Sequence, residues 1–176
     1  IRCHAFIKRI GKSRMINSAA RQAIAETNGE ILTHNGYLCD ARFSKCCGGV
    51  TEEFESCWQE IHHSYLTVLN DARNNDSLPD LRNEENATKW ILDTPKSFCG
   101  NADKSILKKS LNGYDLETPD YYRWSVEYTV SQITELFYRK SGLDIGRIID
   151  MKPIKRGGSG RIIELEVTGT KRSVTI

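Results

Sequence analysis

Several catalytic signatures are missing from this sequence, and each absence closes a class of function. There is no Cys-x-x-Cys pair, no His-Glu-x-x-His, no nucleotide-binding glycine loop and no Ser-His-Asp order. Zinc-ribbon, metalloprotease, P-loop and triad-hydrolase readings therefore lack the spacing their chemistry needs. No apolar run approaches the length of a bilayer span. An excess of one charge is also missing: Lys+Arg 25 against Asp+Glu 23 leaves a net charge of +2, with the basic residues scattered. That distribution argues against a nucleic-acid footprint. With 39% hydrophobic and 27% charged residues, the 176 residues suffice for one substantial core, with room for an inserted lobe.

What is present concentrates between Cys39 and Trp58, which holds four of the six cysteines, the Cys46-Cys47 pair, the Gly48-Gly49 step and several carboxylates. The glycine pair permits positive φ or a close backbone approach, and Thr51-Glu52-Glu53 reads as a helix start. Exposed backbone N–H groups in such a loop suit a polar ligand. Arg42, Ser44 and Thr51 are candidate contacts; the plainer reading makes Arg42 a surface charge and lets Ser44 and Thr51 satisfy nearby backbone. Glu52 and Glu53 come nearest to acid/base chemistry, although acids at a helix start commonly serve its dipole.

The cysteines leave three states open. Structural thiols rank first, disulfides close behind and metal ligation third. Cys46 and Cys47 are adjacent and would strain to bond each other, so different partners or faces are expected. Cys99 is remote from this loop and is the natural residue to tie an insert to the core by a disulfide; a buried thiol is the equal alternative. Cys3-His4 offers metal-ligand types but too few donors, and a core cysteine beside a surface histidine is the simpler account. His62 and His63, being adjacent, point in different directions and read as surface residues.

Periodicity predicts a mixed α+β fold with a mainly antiparallel sheet core, hairpins, flanking helices and a helical insert. Asn17-Ser18 starts a helix that ends near Gly29. Residues 30–34 and 37–43 flank Asn35-Gly36, the signature of a two-residue type I′ hairpin. Tyr65–Leu69 suggests a short strand. Residues 73–120 read as the insert, with Leu81, Ala87, Trp90 and Ile91 on one helix face and Ile106, Leu107 and Leu111 on a second helix. Tyr121–Thr129 alternates like a strand with Tyr122, Trp124, Val126 and Tyr128 inward. Thr129 and Gln132 form a capping box for a helix reaching Gly142. Residues 145–155 and 161–167 read as strands joined by Gly157-Gly-Ser-Gly160, better taken as a hairpin turn than a phosphate cradle because no helix follows. Arg161 leaves that turn facing a possible cleft. Ile1 and the strand-like Arg172–Ile176 look cut, so a single-domain fragment is expected, with its core over 1–72 and 121–176.

From Ala41 to Glu53 the sequence resembles the stage II sporulation protein D family, also called the amidase-enhancer or LytB-like domain. The shared frame is Ser-x-x-x-Gly-Gly-x-Thr-Glu from Ser44 to Glu52, followed by Trp58. Ala19–Leu32, Tyr65-Leu66, Tyr122–Glu127 and Ser159-Gly-Arg161 resemble further family segments. The resemblance implies a bacterial, secreted, periplasmic or wall-associated protein directed at peptidoglycan, with lytic transglycosylase activity in the sporulation branch. That reaction uses one carboxylic acid as proton donor and then as base. The family's glutamate lies in a Glu-x-Tyr-Leu-x-Gly-type segment, which this sequence lacks. The expectation is therefore a lytic transglycosylase acting on glycan strands, its catalytic glutamate upstream of this chain, with a groove lined by Arg42, Ser44, Gly48, Gly49, Thr51, Glu52 and Arg161 and no catalytic residue assigned among the 176. The alternative is a noncatalytic glycan-binding module that stimulates a cell-wall amidase. Some relatives bind zinc at a His-Cys-Gln segment; Arg2-Cys3-His4 stands there, so Cys3 and His4 are weak metal candidates and no cofactor is assigned.

Overall fold

The computed structural model describes residues 18–42, 44, 46–73, 77–100 and 122–176. They fall into two units, Ile1–Ser44 and Lys45–Ile176. The architecture is α+β with antiparallel strand pairing.

In the first unit, α1 spans Ser18–Glu26. It closes where Thr27 returns both its N–H and its hydroxyl to the Ala23 carbonyl, and Gly29 then takes φ +85°. The strands β1 (Thr33–His34) and β2 (Tyr37–Leu38) form the expected hairpin. Asn35 and Gly36 sit at φ 51° and 82°, the positive values that a type I′ turn demands. The ladder is shorter than the apolar pattern predicts, because an isolated two-stranded hairpin gains little from lengthening without a packed face. Ile31, Leu32, Tyr37 and Leu38 are all exposed.

The second unit contains α2 (Phe54–Cys57), α3 (Glu84–Leu92), α4 (Val130–Ser141), β3 (Ile148–Arg156), β4 (Ile162–Gly169) and β5 (Ser173–Thr175). Asn83 caps α3 by accepting from the N–H groups of Glu85 and Asn86. Thr129 and Gln132 form the anticipated capping box on α4, and Gly142 closes that helix in the left-handed conformation at φ 72°. The β3-β4-β5 sheet is antiparallel, with Met151 opposite Val167 and Val167 opposite Val174. Pro153, which has no N–H to give, sits next to a register shift in β3. The face of α4 carrying Phe137 meets Ile145, Ile148 and Val167, with Ile133, Leu143, Leu165 and Val174 around them.

Away from this cluster, Val50, Phe54, Leu81 and Ala87 are also buried. The β3–β4 hairpin links the two regions, since its glycine-rich turn lies beside Leu81 and Ala87. Thus Leu81 and Ala87 are inward as predicted, whereas Ile91 is exposed. The second helix of the insert lies outside the described residues.

Two expected strands are absent. Residues 122–129 have no strand pairing, and Trp124, Val126 and Tyr128 are exposed at 75%, 56% and 52%. Alternation predicts a strand only where a neighbour accepts the ladder; here Tyr122 and Arg123 are anchored by their side chains to surrounding loops. Tyr65–Leu69 likewise contributes loop bonds, and a single bridge pairs Val50 with Asn70. We expect Ile145→Ala, which empties space in the cluster under α4, to lower stability by about 2–5 kcal/mol, read by urea denaturation of the full chain.

Candidate functional site

The Gly48–Glu53 loop is held by its own polar groups. Asp71 donates its N–H to the Gly49 carbonyl, and Thr51 donates its N–H to the Leu69 carbonyl, both within 3.0 Å. The Thr51 hydroxyl gives its proton to the Thr67 carbonyl and accepts from the Leu69 N–H, each at 2.7 Å. Gly49 has φ 99°, and a Cβ there would come within 2.9 Å of the Tyr122 hydroxyl and 3.0 Å of the Trp90 ring. Both backbone freedom and lack of a side chain are required at that position.

Glu52 turns away from this loop and into the Gly157–Gly160 turn. Its Oε2 accepts from the Ser159 hydroxyl at 2.5 Å and from the Ser159 N–H at 3.2 Å, while Oε1 accepts from the Glu53 N–H at 2.9 Å. Ser159 is buried and also accepts from Arg161 at 2.6 Å. Arg161 donates in addition to the carbonyls of Val50 and Cys47. A Cβ on Gly157 would lie 2.6 Å from the Glu52 carboxyl carbon, and one on Gly158 would overlap Val68. The turn is glycine-rich because it is packed inside the fold.

Beside this clamp opens a cleft of about 350 Å³ lined by residues that include Glu53, Glu55, Arg82, Ile154, Lys155 and Gly157. Arg82 pairs with Glu53 at 3.1 Å and Lys155 with Glu164 at 3.3 Å. Arg156, also on the wall, is occupied by a two-pronged contact with Glu84 and by the Gly160 carbonyl. The hydrogen bond from Arg156 is the main cause holding the Glu84 carboxyl below its ordinary range. Glu55 accepts from His62 Nδ1 at 2.9 Å, and this bond is the first cause of its carboxyl lying below the ordinary range. Its other oxygen, Oε2, is buried and finds no hydrogen-bond partner among the described residues. A buried acceptor of this kind is unusual in a folded chain. Glu55 is thus a carboxylate at neutral pH, suited to accepting hydrogen bonds and poorly suited to donating a proton.

A sulfur cluster lies on the other side of the Gly48-Gly49 step. Cys47 Sγ is 3.4 Å from Cys99 Sγ. Burial pushes the Cys46 thiol up, and pushes the Cys47 thiol up to about 12 with help from its hydrogen bond to Cys99. Neither is a ready nucleophile at neutral pH. Arg123 lies 4.1 Å over the Tyr122 ring and donates to the carbonyls of Gly48 and Trp90.

Of the residues singled out in the sequence, Gly48, Gly49, Thr51, Glu52 and Arg161 share this network in the second unit. Arg42 and Ser44 belong to the first unit, where Arg42 pairs with Asp40 at 2.9 Å. Cys3 and His4 lie outside the described residues. Sequence reasoning gave no site role to Glu55 with His62, Arg82, Lys155, Asp71 or Arg123, since most of their contacts join residues distant in the chain. His62 is a surface residue as expected, exposed while bound to Glu55, whereas His63 is half-buried, edge-on against Phe54 at 4.5 Å.

A family model described as a domain of unknown function, DUF8618, matches residues 52–176. No curated protein and no solved structure matches the chain.

Two outcomes are expected at this site. Ser159→Ala should cost about 1–3 kcal/mol in urea denaturation, because it leaves Glu52 and Arg161 without their shared partner. His62→Ala should move the Glu55 titration upward, seen by carboxyl-carbon NMR. The sign follows from the depressed carboxyl: the pair stabilises the fold above the ordinary carboxylate range and ceases to do so as pH falls through the lowered value.

Proposed function

We propose that this chain, which belongs to the DUF8618 family, is a peptidoglycan-directed, extracytoplasmic module of the stage II sporulation protein D type that holds a glycan strand in the cleft beside Glu52. One observation carries this reading: Glu55, held as a carboxylate by His62, lines a cleft that also bears Arg82, Lys155 and the apolar side chain of Ile154. Amino-sugar hydroxyls and amide N–H groups can donate to such a carboxylate, and the aliphatic patch suits a sugar's nonpolar face. The Ser44–Glu52 frame and Ser159-Gly-Arg161 support the same assignment.

The chemistry favours holding the strand over cutting it. Lytic transglycosylation requires a carboxylic acid able to lend a proton. Glu52 accepts three hydrogen bonds and Glu55 is held as a carboxylate, so neither is arranged as that acid. In this reading transglycosylase activity depends on the Glu-x-Tyr-Leu-x-Gly-type segment that the sequence lacks. The module itself positions glycan, with a cell-wall amidase as the natural partner.

Glycan strands stripped of stem peptides should co-sediment with the purified chain, and no anhydro-sugar product should appear. Glu55→Gln should weaken binding about tenfold, the loss of one charge-assisted hydrogen bond, whereas Lys171→Ala, away from the cleft, should leave it unchanged. Failure to bind, or release of anhydro products by the chain alone, would overturn the proposal.

A further inference from the structure

Cys47 and Cys99 are 52 positions apart in the chain, yet their sulfurs are 3.4 Å apart. The backbone around them is already docked. Asp71 gives its N–H to the Gly49 carbonyl at 2.9 Å, takes the Phe98 N–H on its own carbonyl at 2.8 Å, and takes the Cys99 N–H on Oδ2 at 2.9 Å. One residue thus clasps the loop after Cys47 to the segment carrying Cys99. Ser97 adds to the frame, its hydroxyl accepting from the Gly100 N–H and donating to the Tyr122 hydroxyl. The sulfurs meet because two loops are held in register by bonds that do not involve sulfur.

We infer that Cys47 and Cys99 form a structural disulfide that staples the Gly48-Gly49 loop to the Ser97–Gly100 segment. The separation exceeds a bonded S–S distance of about 2.0 Å by an amount that side-chain rotation can close. The reaction is exchange with an external disulfide, R–S–S–R, such as oxidised glutathione or a thiol oxidoreductase. Cys99, as thiolate, attacks it to give a mixed disulfide and releases one R–SH. The second cysteine loses its proton and attacks the protein sulfur of that mixed disulfide, which expels the second R–SH. Two electrons and two protons pass from the cysteine pair to the reagent.

Cys47, Asp71 and Cys99 also place three donor atoms within 4.8 Å of one another, the arrangement a cation would use. A structural zinc site takes four ligands. This group supplies three, one of them a carboxylate oxygen already accepting the Cys99 N–H. The disulfide needs only the two sulfurs, and the long loop it closes is where a cross-link most restricts the unfolded chain.

The test is peptide mapping of the full chain after incubation with oxidised glutathione, with alkylation of remaining thiols and zinc determined on the same sample. The expected result is a linked peptide pair joining the Cys46-Cys47 segment to Cys99, retained in Cys46→Ser, lost in Cys47→Ser, with a melting temperature that falls on reduction. Three results would each overturn the inference: full alkylation of both residues in the treated protein, a link that survives Cys47→Ser, or one equivalent of zinc that persists through desalting and disappears in Cys47→Ser.

Discussion

The contact between the half-buried Glu52 and the Gly157–Gly160 turn is the constraint on which the second unit depends. It joins residues 107 positions apart in sequence. It sets the direction of the chain leaving the Gly48-Gly49 step, and it brings the end of the long β3–β4 hairpin against Leu81 and Ala87. The half-buried Glu52 carboxyl is satisfied by Ser159, by the Glu53 N–H and, through Ser159, by Arg161. Arg161 carries the same network to the carbonyls of Cys47 and Val50. Loop, turn and cleft wall form one hydrogen-bonded assembly.

That assembly explains residue types that look functional in isolation. Gly157 and Gly158 are small because the Glu52 carboxylate and Val68 occupy the space a side chain would take. The Thr51 hydroxyl bonds two backbone groups, and Arg161 three acceptors. Groups so engaged build the wall of a site more readily than they change partners. The cleft beside them is different in kind: Arg82 and Lys155 are half to largely exposed, and Glu55 is partly exposed beside them. Rigid support next to adaptable polar contacts is the arrangement a polar-ligand site needs.

The unequal distribution of apolar burial follows from the same contacts. The sheet and α4 close over Phe137, Ile145, Ile148 and Val167, whereas the region around Val50 and Phe54 is built chiefly from loops. Loops leave many backbone groups without regular partners, and here Asp71, Thr51 and Arg123 supply them. Their bonding shows why so little regular secondary structure suffices between residues 46 and 100.

Local chemistry alone determined a good part of this protein. The Asn35-Gly36 turn, the Thr129–Gln132 capping box, the Gly142 stop and the β3–β4 hairpin are all readable from the sequence, because each depends on residues within a few positions of one another. The frame from Ser44 to Glu52 was also visible, though not what its side chains bind. Tertiary structure decided the rest. Tyr122–Thr129 has the alternation of a strand and finds no ladder, and Trp124 and Tyr128 end outside. Glu52 meets Ser159, Cys47 meets Cys99 and Arg123 meets Gly48 across 107, 52 and 75 positions. Such pairings depend on how loops dock, and no periodicity or local motif encodes which distant donor a carboxylate will meet.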